Sequence, residues 1–390
     1  MEKIKIGLFG FGVVGEGLYT VLQKSKTVDA EIVKIAVKNK KERSLDDAYF
    51  TYDKDELLNN KALDIIVELI DDADEAYDIV KTALLNGKNV VSGNKKMLAE
   101  HLPELIEIQE KTGKSLLYDA SACGSIPIIR NIEEYYDNDL LQSINGILNG
   151  SSNYILTQIF RNNKSYETAL KEAQDLGFAE SNPTFDVDGF DSKFKLIIIA
   201  LHSFGISITA DEIFNFGISN ISDFDIKFAK EKGLKIKLVG KVWKVSESEI
   251  SLMVIPEFVN KDNYIYNVEE EYNGVVIKGE YYDKQFMFGK GAGAFPTGSA
   301  VLSDITALSH QYKYEYKKRK FFKALKSTNK TLVKIYLRYN DLIDFSHFDF
   351  ENIQEKYSGE TNYVVGTISI ENLLKLQSII PKLDVFLGIL

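Results

Sequence analysis

The sequence predicts an α/β Rossmann-type nucleotide-binding domain. An α+β domain built on an antiparallel sheet follows it, and a small α+β module ends the chain. Three observations carry this reading. Short apolar runs alternate with helical spacings over residues 1–125. A glycine turn, Gly10-Phe11-Gly12-Val13-Val14-Gly15, follows the first apolar run and opens a helix. After residue 126 the strand-like runs become longer and alternate polar with apolar residues.

Residues 3–9 read as the first strand, and Val14, Leu18, Val21 and Leu22 then fall at helical spacing. Further strands are expected at 31–37, 63–70, 88–92 and 115–119, with helices near 73–86 and 98–112. Strands alternating with helices give a right-handed parallel sheet, so residues 1–125, completed by about 290–320, form the nucleotide domain. The second domain, 126–289, mixes helices near 124–136, 152–162, 165–176 and 191–204 with strands near 141–148, 234–245, 250–258 and 274–282. Their polar–apolar alternation fits an antiparallel sheet with one covered face. Gly289-Lys-Gly-Ala-Gly293 breaks the pattern and Thr297–Leu308 reads as a helix. The basic stretch Tyr312–Lys320 reads as a linker. The tail, 331–390, reads as a separate module. Its strands lie at Leu332–Leu337, 361–370 and 384–390, around a helix at 371–382, with no helix after its first strand.

Composition narrows the function. A net charge of −10 argues against nucleic acid or an anionic membrane as partner. The single cysteine, Cys123, permits no intrachain disulfide and fits a reducing compartment, so the cytoplasm is expected. Four scattered histidines do not make a histidine-built metal centre. The N-terminus has no apolar targeting core, and the longest apolar run, Leu196–Leu201, is far short of the ~20 residues that cross a bilayer.

The glycine turn carries the first chemistry. Gly10 permits the tight turn, Gly12 lets a pyrophosphate approach the backbone, and Gly15 allows close packing. Val13 and Val14 sit where backbone N–H groups meet the phosphates. The second strand ends without an acid, in Val37-Lys38-Asn39-Lys40-Lys41-Glu42-Arg43. These cations would attract a 2′-phosphate, which favours NADP over NAD, or they form an ordinary solvated loop. Val90-Val-Ser92-Gly-Asn94-Lys95-Lys96 follows another strand, so Ser92 and Lys95 either face the nicotinamide or precede a helix at the surface. Tyr118-Asp119-Ala-Ser-Ala122-Cys123-Gly124-Ser-Ile126-Pro127 is either a hinge or an oxygen-lined loop for a monovalent cation. Gly146-Ile-Leu-Asn149-Gly150-Ser-Ser runs from a strand into a helix capped by Ser151 or Ser152, whose amides cap only the helix or meet an anion.

Asp191-Ser-Lys-Phe-Lys195 sets a carboxylate and an ammonium four residues apart on one helical face, ahead of six apolar residues. This is either an i,i+4 salt bridge or a buried pair put to chemical use. Gly177-Phe-Ala-Glu180, Asp186 and Asp188 make a dense acid cluster nearby, suited to an ammonium-bearing substrate or to solvent.

Taken in order, these motifs resemble the homoserine dehydrogenase family over roughly residues 4–310. They are joined by Val67-Glu-Leu-Ile70, Gly291-Ala-Gly293 and Pro296-Thr-Gly-Ser-Ala. The resemblance implies NAD(P)-dependent interconversion of L-homoserine and L-aspartate 4-semialdehyde in threonine and methionine synthesis. It implies that Lys195 is the acid/base, Lys95 a second active-site lysine, and Glu180 and Asp191, with Asp186 close by, the grip on substrate. Gly177 and Gly293 match cofactor-facing positions, and Asp119, Ala122, Gly124 and Ile126 match a sodium loop. It also implies a homodimer through the central sheet, a monofunctional enzyme, and a truncated ACT-like tail. The chain departs from the family pattern with Asp119 in place of Glu, Cys123-Gly124-Ser125, Asn182-Pro183 and Lys96. An unperturbed lysine, with a pKa of ~10.4, stays protonated near neutrality and so is an inefficient base there; burial and a neighbouring cation, Lys95, would lower it, and Asp191 would oppose that shift.

Overall fold

The computed structural model describes residues 3–321 and 325–390. The chain divides into two compact units. One comprises Met1–Asp137 and Lys290–Lys317, the other Asn138–Gly289 and Lys318–Leu390.

The first unit holds a six-stranded sheet in the order β3-β2-β1-β4-β5-β6. Its strands are β1 (Ile4–Phe9), β2 (Ala30–Ala36), β3 (Phe50–Thr51), β4 (Ile65–Glu68), β5 (Asn89–Ser92) and β6 (Leu116–Leu117), and every pairing is parallel. Strands β1, β4 and β5 are nearly continuous apolar runs because helices cover both faces of such a sheet. The order reverses between β1 and β4, which opens a crevice at the carboxyl ends of the strands. Helices Val13–Lys24, Ala73–Leu85 and Lys95–Thr112 supply the crossovers. A fourth helix, Ala294–Ser309, returns to this unit and packs directly on Val13–Lys24. Two glycines permit that approach. A Cβ on Gly17 would lie 2.0 Å from the Ala294 carbonyl oxygen, and one on Gly298 would lie 2.6 Å from the Leu18 nitrogen.

The chain does pass from the first unit to the second within Tyr312–Lys320, between Lys317 and Lys318, but the residues before the crossing are packed rather than solvated. Tyr314 and Tyr316 are buried. The Tyr118 N–H donates to the Tyr314 hydroxyl (3.4 Å), and the Gln109 side chain donates to the Tyr316 hydroxyl (3.2 Å). Tyrosines two apart face one side of extended chain and fill the edge of the unit beyond the two-residue β6.

The second unit is built on an eleven-stranded sheet. Its strands are β7 (Leu141–Ile147), β8 (Phe214–Asn215), β9 (Lys235–Lys244), β10 (Glu249–Val259), β11 (Tyr272–Gly279), β12 (Lys284–Lys290), β13 (Lys326–Ser327), β14 (Leu332–Tyr339), β15 (Asn352–Tyr357), β16 (Asn362–Ser369) and β17 (Val385–Ile389). The order is β12-β11-β7-β9-β10-β17-β14-β16-β15, with β8 and β13 also paired to β10. Helix Phe190–Phe204 packs against β7, β9 and β10, and every residue from Asp191 to Phe204 is buried. A helix with six consecutive apolar residues belongs inside a unit, and here it takes Asp191, Lys193 and Lys195 in with it.

The tail read as a separate module instead continues this sheet, because β17 pairs with both β10 and β14. A buried network fastens it further. Arg338 Nε donates to Asp225 Oδ2 (3.1 Å), Tyr336 OH donates to Asp225 Oδ1 (2.9 Å), and Arg338 Nη2 donates to the Asn220 carbonyl (2.8 Å). A five-residue helix, Leu342–Ser346, stands after the first tail strand, where none is expected. The expected helix at 371–382 stops at Lys375.

Candidate active site

Helix Phe190–Phe204 opens after Gly189, whose positive φ of 83° suits the sharp entry. One turn in, Lys195 Nζ lies 2.7 Å from Asp191 Oδ2, and both side chains are almost fully buried. The same ammonium donates to the Leu148 carbonyl at 2.7 Å. That carbonyl also accepts from Asn273 Nδ2 at 3.1 Å. Next to it, Asn149 Nδ2 donates to Asp191 Oδ2 (3.0 Å) and to Asp186 Oδ1 (2.8 Å). Asn149, where β7 ends, is also the cap of helix Gly150–Asn162, its Oδ1 accepting from the Ser152 N–H at 2.8 Å. Neither Ser151 nor Ser152 is the cap, because Asn149, two positions before Ser151, reaches the orphan amide first.

An ammonium has three N–H donors, and two acceptors hold this one. One donor therefore remains for a substrate oxygen. Lys193, on the same helix, contrasts with it. Burial pushes Lys193 down to about 8, and its Nζ faces the Ile213 carbonyl at 3.4 Å and the Phe190 ring. Lys195 is the lysine of this helix with a carboxylate bonded to its ammonium.

Of the expected substrate residues, the structure brings Asp186, Asp191 and Lys195 together through Asn149. Among the described residues, Glu180 makes no hydrogen bond or ion pair to them. Glu180 is exposed in the turn after helix Tyr166–Asp175, and no ion pair among the described residues involves it. Gly177, in that turn, has a positive φ of 75° and open space where a Cβ would stand. Asn149 as a bridge, the Leu148 carbonyl and Asn273 escape a motif reading. Asn273 is fully buried and its Oδ1 has no hydrogen-bond partner.

The other expected cofactor residues belong to the first unit. Gly10 has a φ of 91°, and a Cβ there would lie 2.4 Å from the Leu69 carbonyl oxygen. A Cβ on Gly15 would lie 2.5 Å from the Gly10 carbonyl oxygen. Gly12 has nothing within 4 Å of that position, so its face of the turn is open at the helix N-terminus. Val13 is exposed beside it and Val14 half-buried. Lys38 is exposed past the end of β2. Arg43 folds back instead, its guanidinium donating to the Asn39 and Lys41 carbonyls and lying 4.9 Å over the Phe50 ring. Ser92 ends β5, Lys95 begins the following helix, and Gly293 precedes helix Ala294–Ser309 with a φ of 124°.

The expected sodium loop is also in this unit. Asp119 Oδ1 accepts from the Ile129 and Arg130 amides at 2.8 and 3.1 Å. The Ile126 carbonyl accepts from the Ile128 amide at 2.8 Å. Asp304, fully buried, accepts from the Asp119 amide (2.9 Å) and from Arg130 Nη2 (2.6 Å). Burial and the Asp119 charge push Asp304 up to about 7, with Arg130 opposing. One oxygen of Asp119 thus caps a helix, the Ile126 oxygen closes a turn, and Arg130 supplies positive charge beside Asp304. Among the described residues, no group of three or more His, Cys, Asp or Glu could hold a metal ion, and no helix is long and apolar enough to cross a membrane.

Comparison with known proteins bears on the whole arrangement. Residues 10–119 match the family model for the NAD-binding domain of homoserine dehydrogenase, and residues 127–306 match the homoserine dehydrogenase model itself. The chain is 33% identical over 318 residues to the Bacillus subtilis homoserine dehydrogenase, covering 79% of this chain and 73% of that one. It is 36% identical over 319 residues to the Helicobacter pylori homoserine dehydrogenase, covering 80% and 75%. A solved homoserine dehydrogenase from Thiobacillus denitrificans superposes with a TM-score of 0.85 at 28% identity, covering 100% of this chain and 98% of the other. The Rossmann-like sheet, the mixed second sheet and these relatives agree: the chain belongs to the homoserine dehydrogenase family, NAD(P)-dependent oxidoreductases acting on the CH–OH group of a small-molecule substrate.

Proposed function

We propose that Lys195 moves the proton in the interconversion of L-homoserine and L-aspartate 4-semialdehyde, with Asp191 holding its ammonium in place. The buried Lys195–Asp191 pair, anchored on the Leu148 carbonyl, carries this reading. When bound, the reduced nicotinamide supplies the hydride to the aldehyde carbon. As that carbon is reduced, its oxygen gains negative charge, and the remaining N–H of Lys195 donates a proton to it. In the reverse direction the neutral amine accepts the hydroxyl proton. Asn149 and Asn273 keep Asp191 and the Leu148 carbonyl aimed at that amine.

Asp186 and Asp191, with Glu180, are assigned to the substrate ammonium, and Lys95 is assigned as the second active-site lysine. Gly10, Gly12, Val13, Val14, Gly15, Ser92, Gly177 and Gly293 are assigned to the dinucleotide. The exposed Lys38, with no acid at the end of β2, favours NADP over NAD. No step is assigned to sodium. A homodimer, a cytoplasmic site and an ACT-like character for 331–390 rest on the resemblance and on composition.

Replacing Lys195 with Ala tests the reading. Turnover falls by about 10²–10⁴-fold, the range for loss of a positioned acid/base, while the NADPH dissociation constant stays near wild type. A folded variant with near-full turnover removes Lys195 from the mechanism.

A further inference from the structure

Glu68 is a buried carboxylate to which the proposed mechanism assigns no role. It ends β4 at the carboxyl edge of the parallel sheet, the edge where ligands bind in this fold. It is fully buried, and no ion pair among the described residues includes it. A carboxylate buried without a counter-ion is costly, and a leucine would fill the space at no such cost. Neutral donors hold it. The Ser92 hydroxyl donates to Oε2 at 2.5 Å, and the Ile70 amide donates to Oε1 at 2.7 Å.

The bonds continue from Ser92. Its Oγ accepts from the Asn94 amide at 3.1 Å. Asn94 Nδ2 donates to the Ile70 carbonyl at 3.0 Å, and Asn94 Oδ1 caps the Lys95 helix through the Met97 amide at 3.0 Å. The Gly93 amide donates to the Glu68 carbonyl at 3.0 Å. Two loops at the ligand edge, one after β4 and one after β5, are thus joined through one carboxylate. The Ser92 hydroxyl has a single proton, and Glu68 fixes where it points.

We propose that Glu68 is a positioning residue for the cofactor site, setting the Ser92 hydroxyl and the Asn94–Lys95 turn in the orientation that binds the nicotinamide half of the dinucleotide. The proposal rests on the reading of Ser92 and Lys95 as cofactor-facing. An ionised carboxylate accepts both donors at once. A protonated one has a hydrogen of its own to place and accepts both donors less strongly, which loosens the hold on the Ser92 hydroxyl. Burial pushes Glu68 up to about 7, with the nearby Asp71 adding to the shift and the Ser92 and Ile70 bonds opposing it. The loosening therefore falls near neutral pH.

The test measures NADPH affinity of the full-length protein by cofactor fluorescence from pH 5.5 to 9, for wild type, Glu68→Gln and Ser92→Ala. Wild type is expected to bind about tenfold more tightly above the Glu68 transition than below it, the effect of one bond to a charged group. Glu68→Gln is expected to bind weakly with no step across the range, while the homoserine Michaelis constant changes little. A folded Glu68→Gln that keeps wild-type affinity and the wild-type step overturns the proposal. If Glu68→Gln does not fold, Ser92→Ala decides: loss of the step supports the link, and its retention overturns it. Lys95→Ala separates the proposal from its premise. Unchanged affinity in both Lys95→Ala and Ser92→Ala defeats the cofactor-facing reading; weakened affinity in those two with an unaltered Glu68→Gln defeats the role of Glu68 alone.

Discussion

Each unit buries more than one carboxylate, and one from each, Asp191 and Glu68, are held in opposite ways. In the second unit Asp191 meets an ammonium at 2.7 Å and an asparagine amide at 3.0 Å. In the first, Glu68 meets, among the described residues, a hydroxyl and a backbone amide. Pairing lets a charge exist inside protein, whereas neutral donors leave desolvation largely uncompensated. The first arrangement suits a proton donor that must stay in one place. The second suits a group whose charge changes near neutral pH. Burial alone therefore does not tell what an acidic side chain does; its partners must be read with it.

The largest effect expected from breaking this contrast is at Asp191. Asp191→Ala strands the Lys195 ammonium in the interior, a cost of about 3–5 kcal/mol that denaturant unfolding can measure. A loss below about 1 kcal/mol, the range of exposed pairs, would show that solvent reaches the pair. Next comes Asn273→Leu, which fills the same space and removes one donor from the Leu148 carbonyl. We expect kcat to fall about tenfold, one hydrogen bond's worth, with the thermal midpoint little changed. An unchanged kcat would show that Lys195 alone fixes that carbonyl.

The contrast also has a sign in pH. The folded-state value of Glu68, about 7, lies above its ordinary 4.5, so the folded protein holds that proton more tightly than the unfolded chain. The stability this proton contributes is full below 4.5 and is lost as pH rises through 7. Unfolding free energy of wild type, taken relative to Glu68→Gln, should fall between pH 5 and 7 and then level off. A flat difference would mean that Glu68 does not titrate there. The smallest effect lies at the surface. Lys38→Ala should lower the NADP-to-NAD efficiency ratio by roughly two- to fivefold, the scale of one exposed ion pair, and an unchanged ratio would reject a 2′-phosphate contact at Lys38.

Much of the fold is legible in the sequence because its elements are strongly periodic. The parallel strands are apolar runs, and the helix carrying Asp191 and Lys195 declares itself by six consecutive apolar residues. The i,i+4 spacing of that pair brings its charges to bonding distance. Polar edge strands were harder. Residues 284–290 and 352–357 have no fully buried face, so alternation gave little signal. Tyr312–Lys320 reads as a linker because its five basic residues mask tyrosines set two apart, two of which are buried. At the site, Asn149 reads as part of a capped turn, but its bridge from Asp186 to Asp191 depends on tertiary approach. Asn273 belongs to no motif, and its contact with the Leu148 carbonyl is made only when β11 pairs beside β7. The tail reads as a module of its own because the pairing of β17 with β10 is set by register across the sheet and leaves no local mark in the sequence.

In a crystal structure of the protein with oxidised cofactor and homoserine, the homoserine hydroxyl oxygen is expected within hydrogen-bond distance, ~3 Å, of Lys195 Nζ, with the hydroxyl-bearing carbon facing the nicotinamide. A bound homoserine whose hydroxyl meets another side chain, with Lys195 still enclosed by Asp191 and the Leu148 carbonyl, would contradict the proton-transfer role of Lys195.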